Sequence, residues 1–157
     1  MTREEQFMME AIALSKKAIE NNEGGPFGCV IVKDNKIVGR GNNRVLFDND
    51  PTSHAEVVAI RDACKNLGTF QLDDCEVYTS CEPCPMCLGA IYWARPKIVY
   101  YANTRNDAAA IGFDDSMIYD EMNIEPDNRK IPLTNLCRTD AGKIFEHWFK
   151  KKDKTLY

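Results

Sequence analysis

The chain lacks the long apolar segments that direct a protein into a membrane or out of the cell. No apolar run approaches the length of a transmembrane helix, and the first twenty residues contain no apolar core followed by a small-residue cleavage site. Internal repeats, low-complexity tracts and Pro/Ser-rich linkers are missing as well. These absences and the length of 157 residues predict a single cytoplasmic domain spanning 1–157.

An excess of positive charge is also missing. The formal net charge is −4 at pH 7, although charged residues make up 28% of the sequence. Proteins that bind nucleic acid backbones tightly usually present a basic surface, so this balance disfavours general nucleic acid binding. The 44% of hydrophobic residues is typical of an ordinary globular protein.

Histidine is scarce, but cysteine is not. The only histidines are His54 and His147, whereas the chain has seven cysteines. In a reducing compartment, clustered cysteines favour a metal site or catalysis over disulfides. Cys81, Cys84 and Cys87 lie in CEPCPMC, and this spacing predicts a metal site. His147, in FEHWFKK, has the context of an ordinary helix residue. The remaining cysteines are expected to be small core residues: Cys29, Cys64, Cys75 and Cys137.

Hydrophobic periodicity predicts helices that alternate with strands, which indicates an α/β fold. Strands are predicted in FGCVIVKDNKIVGRGNN (two, turning at Asp34-Asn35), CEVYTS and KIVYYA. Helices are predicted at 3–21, in PTSHAEVVAIRDACKNLG, CPMCLGAIYWARP and AGKIFEHWFKKK, and more weakly around 107–110 and 115–122. His54 and Cys84 then fall at helix N-termini, where the helix dipole lowers the pKa of a thiol.

The metal site admits two interpretations. A closed structural zinc site would use Cys81, Cys84, Cys87 and His54 as its four ligands. A catalytic site would instead keep one position for water, and it would need a group that carries protons for that water. Glu56, two residues after His54, is such a group and favours the catalytic interpretation.

The combination of H-A-E with P-C-P-M-C matches the signature of zinc nucleobase deaminases. In that signature His54, Cys84 and Cys87 are the three protein ligands of one Zn²⁺, and water takes the fourth position. Glu56 is the general acid/base rather than a ligand. Cys81 follows Ser80 instead of a proline and is therefore left outside the ligand set.

These motifs and several longer segments resemble the bacterial zinc-dependent guanine deaminases of the cytidine/deoxycytidylate deaminase superfamily. The resemblance covers essentially the whole chain and includes GGPFG, NDPTSHAEV, LDDCEVYTSCEPCPMCLGAIYWARPK and GFDDSMIY. The segment TSCEPCPMCLGAIYWAR is largely shared with tRNA adenosine deaminases, so GFDDSMIYDE and the terminal Tyr157 carry the substrate assignment. Ser53 stands where the family more often has alanine.

The resemblance implies a cytidine-deaminase-like three-layer α/β/α sandwich with a mixed five-stranded sheet. It implies hydrolysis of guanine to xanthine and ammonia with one Zn²⁺ per subunit, in a homodimer able to exchange its C-terminal arms, residues 138–157. It also implies the residues that contact the purine: Phe27, Asn43, Trp93, Asp115 and Tyr157. Among these, Asp115 accepts from the N–H donors of guanine and assists Glu56 in catalysis, whereas Tyr157 comes from the arm.

Other interpretations stay open from the sequence. Without the resemblance, the same residues suit ordinary roles: Phe27 and Trp93 in a core, Asn43 in a turn, Asp115 at a helix N-cap and Tyr157 in a frayed end. The alternative activities are deamination of tRNA adenosine, or of another small base or nucleoside such as cytosine or guanosine. A non-catalytic zinc-stabilised binding module is a further alternative, which the intact Glu56 disfavours.

Overall fold

The computed structural model describes all 157 residues and contains one mixed sheet of four strands in the order β2-β1-β3-β4. The strands are β1 (Gly28–Lys33), β2 (Lys36–Asn42), β3 (Glu76–Cys81) and β4 (Ile98–Asn103). Strand β1 is antiparallel to both β2 and β3, whereas β3 and β4 are parallel. The expected mixed sheet is therefore confirmed, but the expected number of five strands is wrong.

The last apolar stretch of the chain, IPLTNLC at 131–137, does not supply a fifth strand. It forms neither helix nor strand, and Ile131 and Leu136 are 81% and 83% exposed. Pro132 has no amide hydrogen to donate to a neighbouring strand, which disfavours a place inside a ladder. β4 consequently ends the sheet on its side.

Seven α-helices and one 3₁₀ helix complete the structure. They are α1 (Arg3–Glu20), α2 (Val45–Asp48), α3 (Ala55–Leu67), α4 (Pro85–Ala94), α5 (Arg105–Ala110), α6 (Ser116–Met122), the 3₁₀ helix Pro126–Asn128 and α7 (Arg138–Lys150). The helices predicted from periodicity are all present, including the two weaker ones, while α2 and the 3₁₀ helix were not predicted. None of these helices combines the length and apolar character that crossing a bilayer requires.

Local sequence signals explain where the elements begin and turn. Asp34 and Asn35 connect β1 to β2 with φ values of 50° and 62°, as a two-residue hairpin turn requires. Thr2 and Glu5 form a reciprocal capping box at the start of α1. Gly68 ends α3 in the left-handed conformation, with φ of 65°.

Side chains on alternate positions of the central strands face two separate cores. Val30 and Val32 of β1 pack with Ala11 of α1 and Tyr78 of β3 on one face of the sheet. On the other face, buried residues of β1 and β3 pack with α3 and its neighbours: Cys29, Ile31, Ala55, Ala59, Ala63, Leu72, Cys75, Val77 and Ala94. The sheet is thus covered by helices on both faces.

Helix α3 lies close to β2 because two glycines of that strand leave room for it. A Cβ atom on Gly41 would lie 2.2 Å from the carbonyl oxygen of Ala55, and one on Gly39 would lie 2.5 Å from that of Ala59. Any side chain at these positions would push the helix away. The close approach holds the first turn of α3, which carries Glu56, against the sheet.

The chain divides into two compact units, Met1–Asp115 and Ser116–Tyr157. The first contains the whole sheet, and the second contains α6, the 3₁₀ helix and α7, the predicted helix of the C-terminal arm. A single domain over 1–157 stays a prediction. The expectation that Cys137 is a core residue is wrong, because it is exposed at the N-cap of α7 with φ of 53°.

Candidate metal centre and active site

Two helix N-termini supply the predicted metal ligands. His54 is the N-cap residue of α3, and Cys84 is the N-cap residue of α4, both with extended backbone. Pro85 occupies the first position of α4, where its fixed φ suits a helix start and its missing amide hydrogen costs no hydrogen bond. Cys87 follows within the first turn of α4 and is fully buried. The P-C-x-x-C motif therefore places both thiols at one end of one helix.

The three side chains converge with the spacing that a tetrahedral zinc site requires. Nδ1 of His54 lies 3.5 Å from Sγ of Cys84 and 3.5 Å from Sγ of Cys87. All three donor atoms lie within 4.8 Å of one another. With Zn–N and Zn–S bonds of about 2.0 and 2.3 Å at tetrahedral angles, the nitrogen-to-sulfur distance would be about 3.5 Å. Both observed nitrogen-to-sulfur distances therefore fit a zinc ion held by this donor set.

The electrostatics of this cluster favour a thiolate. Hydrogen bonds from Cys87 and His54, opposed by desolvation, lower the pKa of Cys84 to about 4. The proton that Cys87 shares with Cys84, together with burial, raises the pKa of Cys87. The hydrogen bond with Cys84 also raises the pKa of His54. The lowered pKa of Cys84 favours the thiolate, which is the form in which cysteine binds metal.

Cys81 lies outside the cluster. It ends β3, and its Sγ atom is 3.6 Å from the carbonyl oxygen of Thr104. Burial raises the pKa of Cys81 to about 11, so its sulfur is a protonated thiol at neutral pH. The structure therefore gathers three donors, not the four of the closed structural alternative.

Glu56 lies in the first turn of α3, and its side chain is buried at 6% exposure. Its Oε1 atom accepts a hydrogen bond of 2.9 Å from the hydroxyl of Thr79. Desolvation raises the pKa of Glu56, opposed by hydrogen bonds from its own backbone, Thr79 and Cys87. A carboxyl group with a raised pKa beside a metal site is suited to taking and giving protons.

A backbone hydrogen bond connects Asn43 and Phe27, two of the predicted substrate contacts. The amide of Asn43 donates to the carbonyl of Phe27 over 2.9 Å. The side-chain Oδ1 of Asn43 accepts from the amide of Val45 over 3.1 Å. This second bond fixes the orientation of the buried Asn43 side chain, whose Nδ2 is a donor suited to an acceptor on a ligand.

Asp115 follows GF at 112–113, and Phe113 brings that segment against the Phe27 region. The rings of Phe27 and Phe113 pack edge to face with centroids 5.0 Å apart. Desolvation raises the pKa of Asp115, and the negative charge of Cys84 raises it further. A contact between Asp115 and a substrate stays a prediction.

The other two predicted contacts, Trp93 and Tyr157, have largely exposed side chains. Trp93 lies in the last turn of α4 and is 65% exposed. Tyr157 belongs to the second compact unit and is 69% exposed. Contacts of both residues with a substrate stay predictions.

Comparison with known proteins decides which family carries this arrangement. Residues 1–103 match the model of the cytidine and deoxycytidylate deaminase zinc-binding region. The chain belongs to this family. The family model and the His54, Cys84 and Cys87 donor set together confirm the expected zinc-dependent deaminase with a zinc cofactor.

Individual relatives resemble the chain over its full length. A guanine deaminase of Bacillus subtilis (strain 168) is 53% identical over 153 residues, which are 98% of each chain. The crystal structure of guanine deaminase from Bacillus subtilis superimposes with a TM-score of 0.94 and covers 98% of both chains. A tRNA-specific adenosine deaminase of Aquifex aeolicus (strain VF5) is 32% identical over 148 residues, which are 94% of each chain.

Sequence reasoning missed two residues of the site. Thr79 contacts Glu56 from a different element, and Phe113 contacts Phe27 from a loop more than eighty residues away in the chain. A polar residue inside the strand CEVYTS was a signal for Thr79, since a buried hydroxyl needs a partner. The phenylalanine of GFDD carried no local signal, because its partner is defined only by the fold.

Proposed function

We propose that the chain is a zinc-dependent hydrolase that deaminates guanine to xanthine and ammonia. The observation that carries this proposal is the 53% identity to a guanine deaminase over 98% of both chains. His54, Cys84 and Cys87 hold the zinc, which leaves a fourth position for water. Bound zinc lowers the pKa of a water molecule to about 7 and so supplies a nucleophile at neutral pH.

Glu56 moves the protons of the reaction. Its carboxylate takes a proton from the attacking water and gives it to the ring nitrogen beside the amino-bearing carbon. The new carbon–oxygen bond makes this carbon tetrahedral. Glu56 then takes the remaining proton from the hydroxyl on the tetrahedral carbon and passes it to the amine. The carbon–nitrogen bond breaks as the carbon–oxygen double bond forms, and ammonia leaves. The burial of Glu56 and the desolvation that raises its pKa support this role, because a general acid/base works best when its pKa lies closer to the operating pH.

Asn43 and Asp115 select guanine by complementary hydrogen bonds. Guanine offers adjacent N–H donors at N1 and the 2-amino group, and a carboxylate at Asp115 is the acceptor for them. Asn43, whose Oδ1 accepts from the amide of Val45, offers its Nδ2 donor to the acceptor edge of the purine. Phe27 packs against the ring, held by Phe113. Adenine and cytosine lack the adjacent pair of N–H donors.

Measuring ammonia release from a panel of substrates tests the substrate assignment. The panel consists of guanine, adenine, cytosine, guanosine and a tRNA anticodon stem-loop. We expect guanine to exceed adenine, cytosine and the stem-loop adenosine by at least about 100-fold in kcat/KM, because a site built around a hydrogen-bonding pair rejects ligands that lack it. Guanosine has the same pair of donors, so its turnover shows whether the site also admits the ribose. Conversion of adenosine to inosine in the stem-loop without turnover of guanine would instead establish the runner-up, a tRNA adenosine deaminase.

The Asp115→Asn variant tests the acceptor. An amide offers one acceptor oxygen and no exchangeable carboxyl proton, so we expect guanine kcat/KM to fall by at least about tenfold while zinc stays bound. Asp114→Asn, the same change one residue earlier, is the matched control. Equal losses in the two variants would mean that position 115 has no special role.

The active species in this proposal is a homodimer that exchanges residues 138–157 between subunits, with Tyr157 completing the substrate contacts. Besides the resemblance, the support is apolar surface: Tyr92 on α4 is 76% exposed, and Phe145 and Phe149 on α7 are 79% exposed. Deleting Tyr157 should leave zinc content and Tm unchanged and lower guanine kcat/KM about tenfold or more.

Mixing Tyr157-deleted chains with Glu56→Gln chains tests the exchange itself. One site of such a heterodimer would combine an intact Glu56 with an intact arm from the other subunit. We expect the mixture to regain activity that neither variant has alone. A monomer in light scattering, or full activity of the Tyr157 deletion, would exclude this part of the proposal.

A further inference from the structure

Thr79 lies on the inner strand β3, and its side chain contacts Glu56 of the active site. Strand β3 is flanked by β1 and β4, and Thr79 pairs with Cys29 on one side and with Tyr101 on the other. Its side chain is 1% exposed, and its hydroxyl donates to Oε1 of Glu56 over 2.9 Å. A threonine in a central strand is thus connected directly to the group that carries protons.

Thr79 and Glu56, the two partners in this hydrogen bond, differ in their freedom to move. Thr79 is held by hydrogen-bonded strands on both sides, and its branched Cβ restricts χ1 to few rotamers. Glu56 has three side-chain torsions, and its backbone lies in the first turn of α3. The hydroxyl is therefore the fixed partner, and the carboxylate is the group whose position it sets.

The Thr79 hydroxyl binds one oxygen of the Glu56 carboxylate, Oε1. A cysteine that binds zinc is a thiolate and has no proton to donate to a neighbouring carboxylate. With zinc bound, the Thr79 hydroxyl is therefore the side-chain donor that holds Glu56.

We propose that Thr79 is a positioning residue that fixes the carboxylate of Glu56, so that Oε1 is occupied and Oε2 exchanges protons with water and substrate. The inference rests on the proposed function, because it assigns Thr79 a role through Glu56. A merely structural hydroxyl would satisfy a buried acceptor and affect stability alone. A positioning hydroxyl also controls the rate of the proton-transfer step.

Three variants of the full-length zinc-loaded protein separate these roles. Thr79→Val keeps the shape of the side chain and removes the donor, whereas Thr79→Ser keeps the donor and removes a methyl group. Ser80→Ala is the matched control, because Ser80 is a buried hydroxyl in the same strand that accepts from the amide of Gly28 over 3.0 Å. Steady-state kinetics with guanine, zinc content, Tm and the crystal structure of each variant are the measurements.

We expect Thr79→Val to lower kcat by about 10- to 100-fold, the range typical of residues that orient a functional group, with KM within about threefold and one zinc per chain. Thr79→Ser should recover most of the lost kcat. Ser80→Ala should lower Tm but leave kcat within about threefold. The crystal structure of Thr79→Val should show the Glu56 carboxylate in more than one orientation.

Wild-type kcat in Thr79→Val, or a Glu56 carboxylate that keeps its place in that crystal structure, would overturn the inference. So would equal losses of kcat in Thr79→Val and Thr79→Ser, since the donor would then be irrelevant. Failure of the proposed function looks different. In that case wild-type protein turns over no guanine or Glu56→Gln stays active, while the carboxylate orientation in zinc-loaded Thr79→Val still decides the role of Thr79.

Discussion

Two buried carboxylates contact opposite ends of strand β3, and their surroundings differ. Glu76, the first residue of the strand, accepts from Arg3 over 2.7 Å and from the hydroxyl of Tyr78 over 2.7 Å, and it pairs with Lys97 at 3.0 Å. Glu56 meets the other end of the strand and accepts from Thr79, a neutral hydroxyl. One carboxylate thus has two cations beside it, and the other has none among its side-chain donors.

The two pKa values move in opposite directions for this reason. Desolvation raises the pKa of both carboxyl groups, but at Glu76 the hydrogen bonds from Arg3, Tyr78 and Lys97 outweigh it and lower the pKa to about 2. At Glu56 desolvation is the dominant effect and the pKa is raised. Burial alone therefore does not decide the role of a carboxylate. Its partners make Glu76 a permanent structural charge and leave Glu56 able to exchange protons.

Removing a zinc ligand should have the largest effect on the site that contains Glu56. Cys84→Ser and Cys87→Ser should each lose zinc and all measurable deamination, because a hydroxyl is a poor zinc ligand and only three protein donors are present. Cys81→Ser should keep about one zinc per chain. Metal analysis of the purified variants decides this, and loss of zinc from the Cys81 variant alone would refute the ligand assignment.

Neutralising Glu76 should act on stability instead. Glu76→Gln leaves Arg3 and Lys97 without their counter-charge, so we expect the free energy of unfolding to fall by about 2 kcal/mol. The loss is no larger because both cations are partly exposed and solvent screens their charges. This corresponds to a Tm lower by roughly 4–8 °C, with guanine kcat within about twofold of wild type. Lys97→Ala, which removes the more exposed cation, should cost less than about 1 kcal/mol. A large loss of kcat in Glu76→Gln at unchanged Tm would contradict the structural role assigned to Glu76.

The smallest of the expected effects is the dependence of protein stability on the protonation of Glu76. Since the folded-state pKa of Glu76 is below its usual value of 4.5, its contribution is fully present above about pH 4.5 and is lost as the pH falls toward about 2. Urea unfolding at several pH values should therefore show a steeper loss of stability in this window for wild type than for Glu76→Gln. Parallel curves for the two proteins would contradict the assigned pairing.

The sequence was sufficient for the metal cluster because its signals are local. His54 with Glu56, and Cys84 with Cys87, lie within one helical turn of each other, and their spacing alone places them at two helix N-termini. The hairpin turn at Asp34-Asn35 was predictable for the same reason. Each motif depends on residues that are neighbours in the chain, whereas the meeting of His54 with Cys84, 30 positions away, was predicted from the deaminase signature.

The features that the sequence did not reveal depend on contacts between distant residues. Arg3 and Glu76 are 73 positions apart, and Thr79 and Glu56 are 23 positions apart. No periodicity encodes such pairs, because they are set by strand order and by the close packing of α3. The expected fifth strand came from the family resemblance and not from a strand pattern in this sequence, and the sheet has four strands.

The most direct test of the account is ammonia release from guanine by zinc-loaded Glu56→Gln, measured beside Glu76→Gln. Glutamine keeps the shape of the side chain but cannot carry the proton. The account predicts that Glu56→Gln keeps one zinc per chain and an undiminished Tm and loses at least about 1000-fold in kcat, while Glu76→Gln stays active. Deamination by Glu56→Gln at a rate near wild type, or loss of its zinc, would contradict the account.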